Sequence, residues 1–498
     1  MSNQHPGADQ PQLPAPDGFL SLNSAPTPRR PLSPNPSGHG GIVVFSGGSA
    51  ANNLVDVFEH VRQANQCTLS YVIPISDNGG STSEIIRVFG GPGIGDVRSR
   101  LVRLIPHEDN PETVAITHFF NHRLPKNHGA ARAEWFEILE ATHPLWDNIS
   151  SPKRELIRSI LNSFNLEVVK RMRPSSRFDF SGASIGNLFL TGARLFTGSF
   201  EAGIYLLSSI CSVPDRIAVL PALNTNFAHH IAAGLADGTV ITGQNDISHP
   251  SVPTRAVPGT GISTGTQTPM PQVPETEEHD KVEDANLPGS LPALRRQAIA
   301  FSKEDEEELP SKIDRIWYIN PYGQEIRIPA NPRVLDAIRG ASTIIYSIGS
   351  LFTSLIPNLV LKDVGDAIAS PLIRSKILIL NGTIDRETGP ASDPFTGLDF
   401  VASIANACAE SRGLPRPTED EFGKYVTHVI YLEGPSSPKV DRQQFGQIGI
   451  DAIRLYGPKD EYGKGGRYDP KALLQALESI VGRGGARTER SRRNTLVG

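Results

Sequence analysis

Two glycine-rich turns, GIVVFSGGSAANN at residues 41–53 and YVIPISDNGGSTSEIIR at residues 71–87, sit one strand–helix–strand unit apart. Each follows a short apolar run, Ile42 to Phe45 and then Val72 to Ile75, and each opens into a stretch with helical patterning. Such a turn leaves the unbonded N–H groups of a helix N-terminus at the end of a strand, which is where proteins hold phosphate. A chain that repeats this unit folds as an α/β protein.

The rest of the 498 residues extends the pattern. Apolar runs at Arg216 to Leu220, Ile313 to Ile319, Thr343 to Ser347, Lys376 to Leu380 and Thr427 to Leu432 suit strands buried on both faces of a parallel sheet. Helical patterns alternate with them at Asn52 to Gln63, Gly198 to Ser209, Pro332 to Arg339 and Gly397 to Glu410. The expected fold is a Rossmann-like, doubly wound α/β domain with a mainly parallel sheet and ligands at the carboxyl ends of its strands. Asp237-Gly238 marks a β-hairpin, and residues 111–175 read as an inserted helical subdomain.

Composition sets the domain limits and excludes several functions. Residues 1–39 hold nine prolines and little apolar clustering, which predicts a disordered tail. Residues 249–312 are Pro/Thr/Gly-rich and then acidic, which predicts a disordered insertion in the 40–481 domain. Residues 482–498 read as a flexible basic tail. A net charge of −5 gives no field for nucleic acid. The longest apolar region, around Ser342 to Leu361, is broken by Ser, Pro and Asn, so no membrane span is expected. Cys67, Cys211 and Cys408 are far apart, without metal-ligand spacing, and fit a reducing compartment. The expected location is the cytoplasm, with the nucleus as a second compartment.

Five segments carry the candidate chemistry. In the first, Gly47 and Gly48 let backbone approach a phosphate, while Ser49 caps a helix or bonds a phosphate oxygen. The second is Asp77-Asn78-Gly79-Gly80-Ser81. Here Asp77 is either a helix cap, a ligand of a divalent ion, or the base for an attacking hydroxyl. The third, GGPGIGDVRSRL, adds Asp96 and Arg98 beside another glycine turn. The fourth, SGASIGNLFL, offers Ser184 and Asn187, for which helix capping plus close packing is the alternative reading. The fifth, SIGSLFTSLIPNL, places Gly349, Ser350, Thr353, Ser354 and Asn358 around the end of a strand. Small hydroxyls there suit a nucleotide or sugar phosphate.

The ordered run VVFSGGSA, ISDNGGSTSEI, GIGDVRSRLVRL, ASIGNLFL, GSFEAGIYLLSSI, LADGTVITGQNDI, IGSLFTSLIPNL and LNGTID resembles the 2-phospho-L-lactate transferase/gluconeogenesis factor superfamily, CofD-like and closer to the YvcK-like branch. The resemblance runs from Gly41 to Asp469. It implies a nucleotide or nucleotide-sugar site, with Gly47, Gly48 and Ser49 at the phosphates and Asp77 and Asp96 near a Mg2+ ion and an acceptor. Ser184, Asn187, Ser350, Thr353, Ser354 and Asn358 would line the remainder, and Arg98 would offset diphosphate charge. The transferase branch moves a phospholactyl group from a guanosine diphosphate carrier. The gluconeogenesis factor branch is described as binding UDP-sugars and regulating carbon use. Where the family shows two consecutive acids, this chain has Asp77-Asn78, and an amide is a poor metal ligand and no general base. Two readings follow: a Mg2+-dependent phospho-group transferase, and a non-catalytic nucleotide-sugar-binding regulator. The expected partners are that small molecule, a second copy of the chain in a homodimer, and a protein docked on the 249–312 insertion.

Overall fold

A computed structural model describes residues 40–493, apart from Ser49, 77–78, 80, 107–109, 174–176, 249–290, 292–293, 295–307 and 459–465. The expected 1–39 tail and nearly all of the 249–312 insertion lie outside the described residues.

Seven strands form a parallel sheet: β1 (Gly41–Phe45), β2 (Leu69–Ile73), β3 (Ile217–Pro221), β8 (Ala341–Tyr346), β9 (Ser375–Ile379), β10 (His428–Leu432) and β11 (Asp451–Leu455). Their spatial order is β11-β10-β9-β8-β1-β2-β3, and every pairing is parallel. The apolar runs explain the placement, since helices cover both faces of such a sheet and every residue of β1 is buried. β9 is buried throughout as well, even at Lys376, whose ammonium reaches the Lys424 carbonyl at 2.7 Å. β11 mixes polar and apolar residues and none of them is buried, because it is an edge strand only partly covered.

A second, antiparallel sheet has the order β5-β4-β6-β7, from β4 (His230–Leu235), β5 (Val240–Thr242), β6 (Ile313–Ile319) and β7 (Glu325–Ile326). This corrects the assignment of Ile313 to Ile319 to the parallel sheet. An apolar run records burial but not its partner, and here the partner is β4, from Ile319 opposite His230 onward. The β4–β5 hairpin closes on Ala236, Asp237 and Gly238, with Leu235 N–H donating to the Thr239 carbonyl at 2.8 Å and Gly238 at φ +89°. It is a three-residue turn with glycine in the left-handed position.

Among the described residues eight α-helices precede β3: α1 (Val55–Ala64), α2 (Ser81–Phe89), α3 (Gly95–Arg103), α4 (Pro111–Asn121), α5 (His128–Glu140), α6 (Ser151–Arg171), α7 (Ile185–Thr197) and α8 (Phe200–Ile210). Side-chain caps start α4 and α5: Asn110 accepts from Glu112 N–H and Asn127 from Ala130 N–H, both at 3.0 Å. Trp135, Phe164 and Phe178 are packed against Phe180 or each other in the interior of this helical region. The last helix, Pro470–Arg493, continues into the segment expected to be a flexible tail. Ala486, Arg487, Glu489 and Arg490 are good helix formers, which offsets the earlier Gly484-Gly485 pair. Among the described residues no helix is long and apolar enough to cross a membrane.

Candidate functional site

Strand order reverses at one place. From β1 the chain steps outward to β2 and β3, then returns to β8 on the other side of β1 and proceeds to β11. The loops leaving β1 and β8 therefore diverge and open a crevice at their carboxyl ends. The sheet bonds carry on into both loops, with Ser46 N–H donating to Val72 O at 3.2 Å and Ser347 N–H to Phe45 O at 3.0 Å.

The first loop is pressed against two other segments. A Cβ on Gly47 would stand 2.5 Å from Ser354 Oγ, and one on Gly48 only 2.1 Å from Asp96 Oδ1. Glycine is required at both positions by close approach, not by an unusual φ. Asp96 lies in the first turn of α3, where a carboxylate is favoured by the helix dipole. The structure thus brings Gly47, Gly48, Asp96 and Ser354 together, from three separate sequence segments.

Behind this loop lies Arg100, which the sequence reading passed over. It is fully buried, and its guanidinium donates to Ser46 Oγ (3.2 Å), Gly47 O (3.1 Å) and Ala51 O (3.4 Å). Asp96 and Arg100 are four apart on one helix, so the helical period itself was the available signal. Arg98 turns to another face. It donates to Asn121 Oδ1 at 3.0 Å and to Asn187 Oδ1 at 3.3 Å, and its methylenes fill the space beside Gly186. Its guanidinium is thus committed to tying α3 to α4 and α7, a different contact from the diphosphate expected for it. Arg194 is buried behind the third glycine turn, donating to Phe89 O (3.3 Å) and Gly90 O (3.0 Å). Burial lowers all three guanidinium pKa values to about 10. Among the described residues none of the three forms an ion pair, although the Asp96 charge favours the protonated forms of Arg98 and Arg100.

The loop after β8 is held from behind. Asn381 accepts from Gly349 N–H at 3.0 Å and donates to Gly349 O at 2.8 Å, fixing that glycine at φ +144°. A π-helical turn, Leu351–Leu355, follows, closed by Ile356 N–H donating to Leu351 O. The start of this turn is met by the buried Glu387 carboxylate, which accepts from Phe352 N–H (2.8 Å), Thr353 N–H (3.1 Å) and Thr353 Oγ1 (2.5 Å). Complete burial, with Asp385 nearby, pushes the Glu387 pKa up to about 8 against those three bonds. Thr353 therefore faces the interior, and Asn358 does too, donating to Ser354 O at 2.8 Å.

Ser184 is the N-cap residue of α7, and Ser347 follows β8. Both are fully buried, with hydroxyls that have no hydrogen-bond partner among the described residues. Ser76, after β2, donates to Gln244 Oε1 at 3.0 Å, which links the second glycine turn to the helix Gln244–Ser248 beyond the hairpin. Arg386 holds the other end of that helix through the Asp246 (3.3 Å) and Ile247 (3.2 Å) carbonyls. Ser49, Asp77, Asn78 and Gly80 lie outside the described residues, as does the Ser81 side chain. Among the described residues no group of three or more His, Cys, Asp or Glu could hold a metal ion.

Known proteins resemble this chain in sequence and fold. Residues 42–452 fit the family model for 2-phospho-L-lactate transferase CofD. The chain is 39% identical over 412 residues to protein YNL011C of Saccharomyces cerevisiae, covering 79% of this chain and 90% of that one. It is 23% identical over 367 residues to the gluconeogenesis factor of Halalkalibacterium halodurans, covering 74% and 73%. The crystal structure of protein BH3568 from Bacillus halodurans superposes with a TM-score of 0.52 at 19% identity, over 88% of this chain and 99% of that one. The same protein is described as a member of the UPF0052 family. The chain belongs to the CofD family, and its relatives include gluconeogenesis factors.

Proposed function

We propose that this protein binds a nucleotide diphosphate or nucleotide-sugar in the crevice between the β1 and β8 loops and acts as a regulator of the gluconeogenesis factor type. The observation that carries the reading is the fully buried Arg100 guanidinium, set directly behind the first glycine loop without an ion pair among the described residues. Buried cations of that kind are costly unless an anion offsets them. A diphosphate at the Gly47-Gly48 backbone would supply the charge, and the Ser347 hydroxyl would supply a further bond.

A second reading is favoured by the position of Asp96. Its carboxylate beside Gly48 is within reach of a group bound there, where it could orient an acceptor hydroxyl and take its proton during transfer. That is the chemistry named in the family description, 2-phospho-L-lactate transfer. Magnesium is held in such sites by one or two carboxylates together with substrate phosphates, and no step is assigned to that ion here.

The test is calorimetry with GDP, UDP, UDP-glucose and NAD, each with and without magnesium, followed by assay for transfer. Micromolar binding of a uridine or guanosine diphosphate, lost in Gly48→Ala, supports the site. Absence of binding by every nucleotide refutes both readings. Turnover that falls with Asp96→Asn while binding persists selects the transferase.

A further inference from the structure

A cavity of about 420 Å3 lies away from the glycine turns, between β6 and the helix Gly397–Ser411 with the loop that follows it. We propose that it is a second ligand site, for a small monocarboxylate with an apolar body, and that its occupancy is felt at the nucleotide crevice.

The volume is in the range of small-molecule sites, which combine apolar walls with a few fixed polar groups. Phe352, Ile356, Ala407 and Leu414 supply the apolar wall, and Leu414 is 48% exposed at its edge. The polar wall is largely neutralised internally. Arg416 forms a two-pronged pair with Asp314 (2.9 and 2.6 Å), and Arg315 bonds both Glu410 (3.0 and 2.7 Å) and Glu325 (3.0 and 2.5 Å). Arg327 differs, because its hydrogen bond goes to the Glu410 main-chain carbonyl and it forms no ion pair among the described residues. Its remaining donors can take one carboxylate in the two-pronged geometry that guanidinium favours. With Asp314 and Glu410 already paired to Arg416 and Arg315, the wall offers one unmatched positive charge among the described residues, at Arg327, and a single negative charge is the match.

The link to the crevice is the π-helical turn. Phe352 lines the cavity and donates its N–H to Glu387, and Ser354, two residues on, stands against Gly47. A π turn carries one residue more than an α turn between bonded groups, and such turns are recurrent at functional sites. A ligand pressing on Phe352 and Ile356 would bias that turn and, through Ser354, the first glycine loop. This coupling rests on the nucleotide reading above; the binding itself does not.

The two parts are tested separately. Calorimetry without nucleotide uses 3-phenylpropionate, with 3-phenylpropanol and inorganic phosphate as comparisons. The expected result is millimolar or tighter binding of the acid, at least tenfold weaker binding of the alcohol, and no heat from phosphate. Asn406, which lines the cavity and makes no side-chain hydrogen bond among the described residues, is changed to Trp to fill it, and Arg327→Met removes the charge. Both variants should bind the acid at least tenfold more weakly. Equal binding by Asn406→Trp and the native chain, or equal binding of phosphate, overturns the site. Coupling is read as a shift of at least threefold in UDP affinity when the native protein is saturated with 3-phenylpropionate, absent in Asn406→Trp. Unchanged UDP affinity with the acid bound overturns the coupling and leaves the nucleotide reading intact, whereas no UDP binding at all refutes that reading first.

Discussion

The guanidinium carbon of Arg100 lies 4.5 Å from the centroid of the Tyr71 ring, so an α3 side chain is stacked on a β2 side chain directly under the first glycine loop. The ring face attracts the cation and the fork reaches three oxygens of the loop, an arrangement only a planar guanidinium can make. Arg100→Lys keeps the charge and loses the fork. It is expected to destabilise the protein by roughly 1–3 kcal/mol, the penalty of leaving buried acceptors unsatisfied. Urea unfolding measures this, and a nucleotide titration should show weakened binding in the same variant.

Glu387 should give stability a recognisable pH dependence. Its pKa is raised in the folded protein from 4.5 to about 8, so between those values the native state binds more protons than the unfolded one. Its contribution therefore diminishes as pH rises from about 4.5 to about 8 and is level beyond. Glu387→Gln can still accept from the Phe352 and Thr353 N–H groups and cannot ionise. Thermal melts from pH 5 to 9 should show the variant gaining on the native protein as pH rises. A constant difference across that range would mean the carboxyl does not titrate there.

Gly48→Ala would place a methyl 2.1 Å from the Asp96 carboxylate and 2.9 Å from its Cα, so the first turn of α3 must move. We expect nucleotide affinity to fall at least tenfold, about 1.4 kcal/mol. A Cβ added at Gly423, in the turn Glu419–Lys424, would meet nothing within 4 Å among the described residues beyond its chain neighbours, and Gly423→Ala should leave affinity unchanged. Parallel titrations of the two variants separate a local clash from a general effect of alanine.

Asn381 matches one donor and one acceptor of Gly349, and Asn381→Asp keeps the shape while setting an oxygen against the Gly349 carbonyl. A loss of roughly 1–3 kcal/mol is expected. The loss should shrink at low pH, where the new carboxyl becomes protonated and can donate again. Chemical denaturation at pH 4 and pH 7 provides the comparison.

What could be read in the sequence was whatever depends on neighbours along the chain. The apolar runs of β1, β2, β8, β9 and β10 announce buried parallel strands, and the glycine turns announce helix N-termini at their ends. β11 was missed because an edge strand has no continuous apolar run, and β6 was misassigned because periodicity carries no information about the pairing partner. In the site, Gly47, Gly48, Asp96 and Ser354 were each named and do converge. Arg98 stands nearer Asp96 in the sequence, yet the helix turns it toward Asn121 and Asn187, and it is Arg100 that lies behind the first loop. Glu387 gave no local signal at all, since its partner Thr353 is 34 residues away.

The reversal of strand order has a consequence for how the molecule could be taken apart. Phe45 pairs with Tyr346, so the crevice is a seam between an amino-terminal half carrying β1, β2 and β3 and a carboxyl-terminal half carrying β8 to β11. The chain between Ser248 and Glu308 joins those halves. A polypeptide divided there would leave each fragment with one wall of the crevice and neither with both. Reassembly of two separately produced fragments could then be followed through the return of ligand binding, making the seam a built-in reporter of complementation.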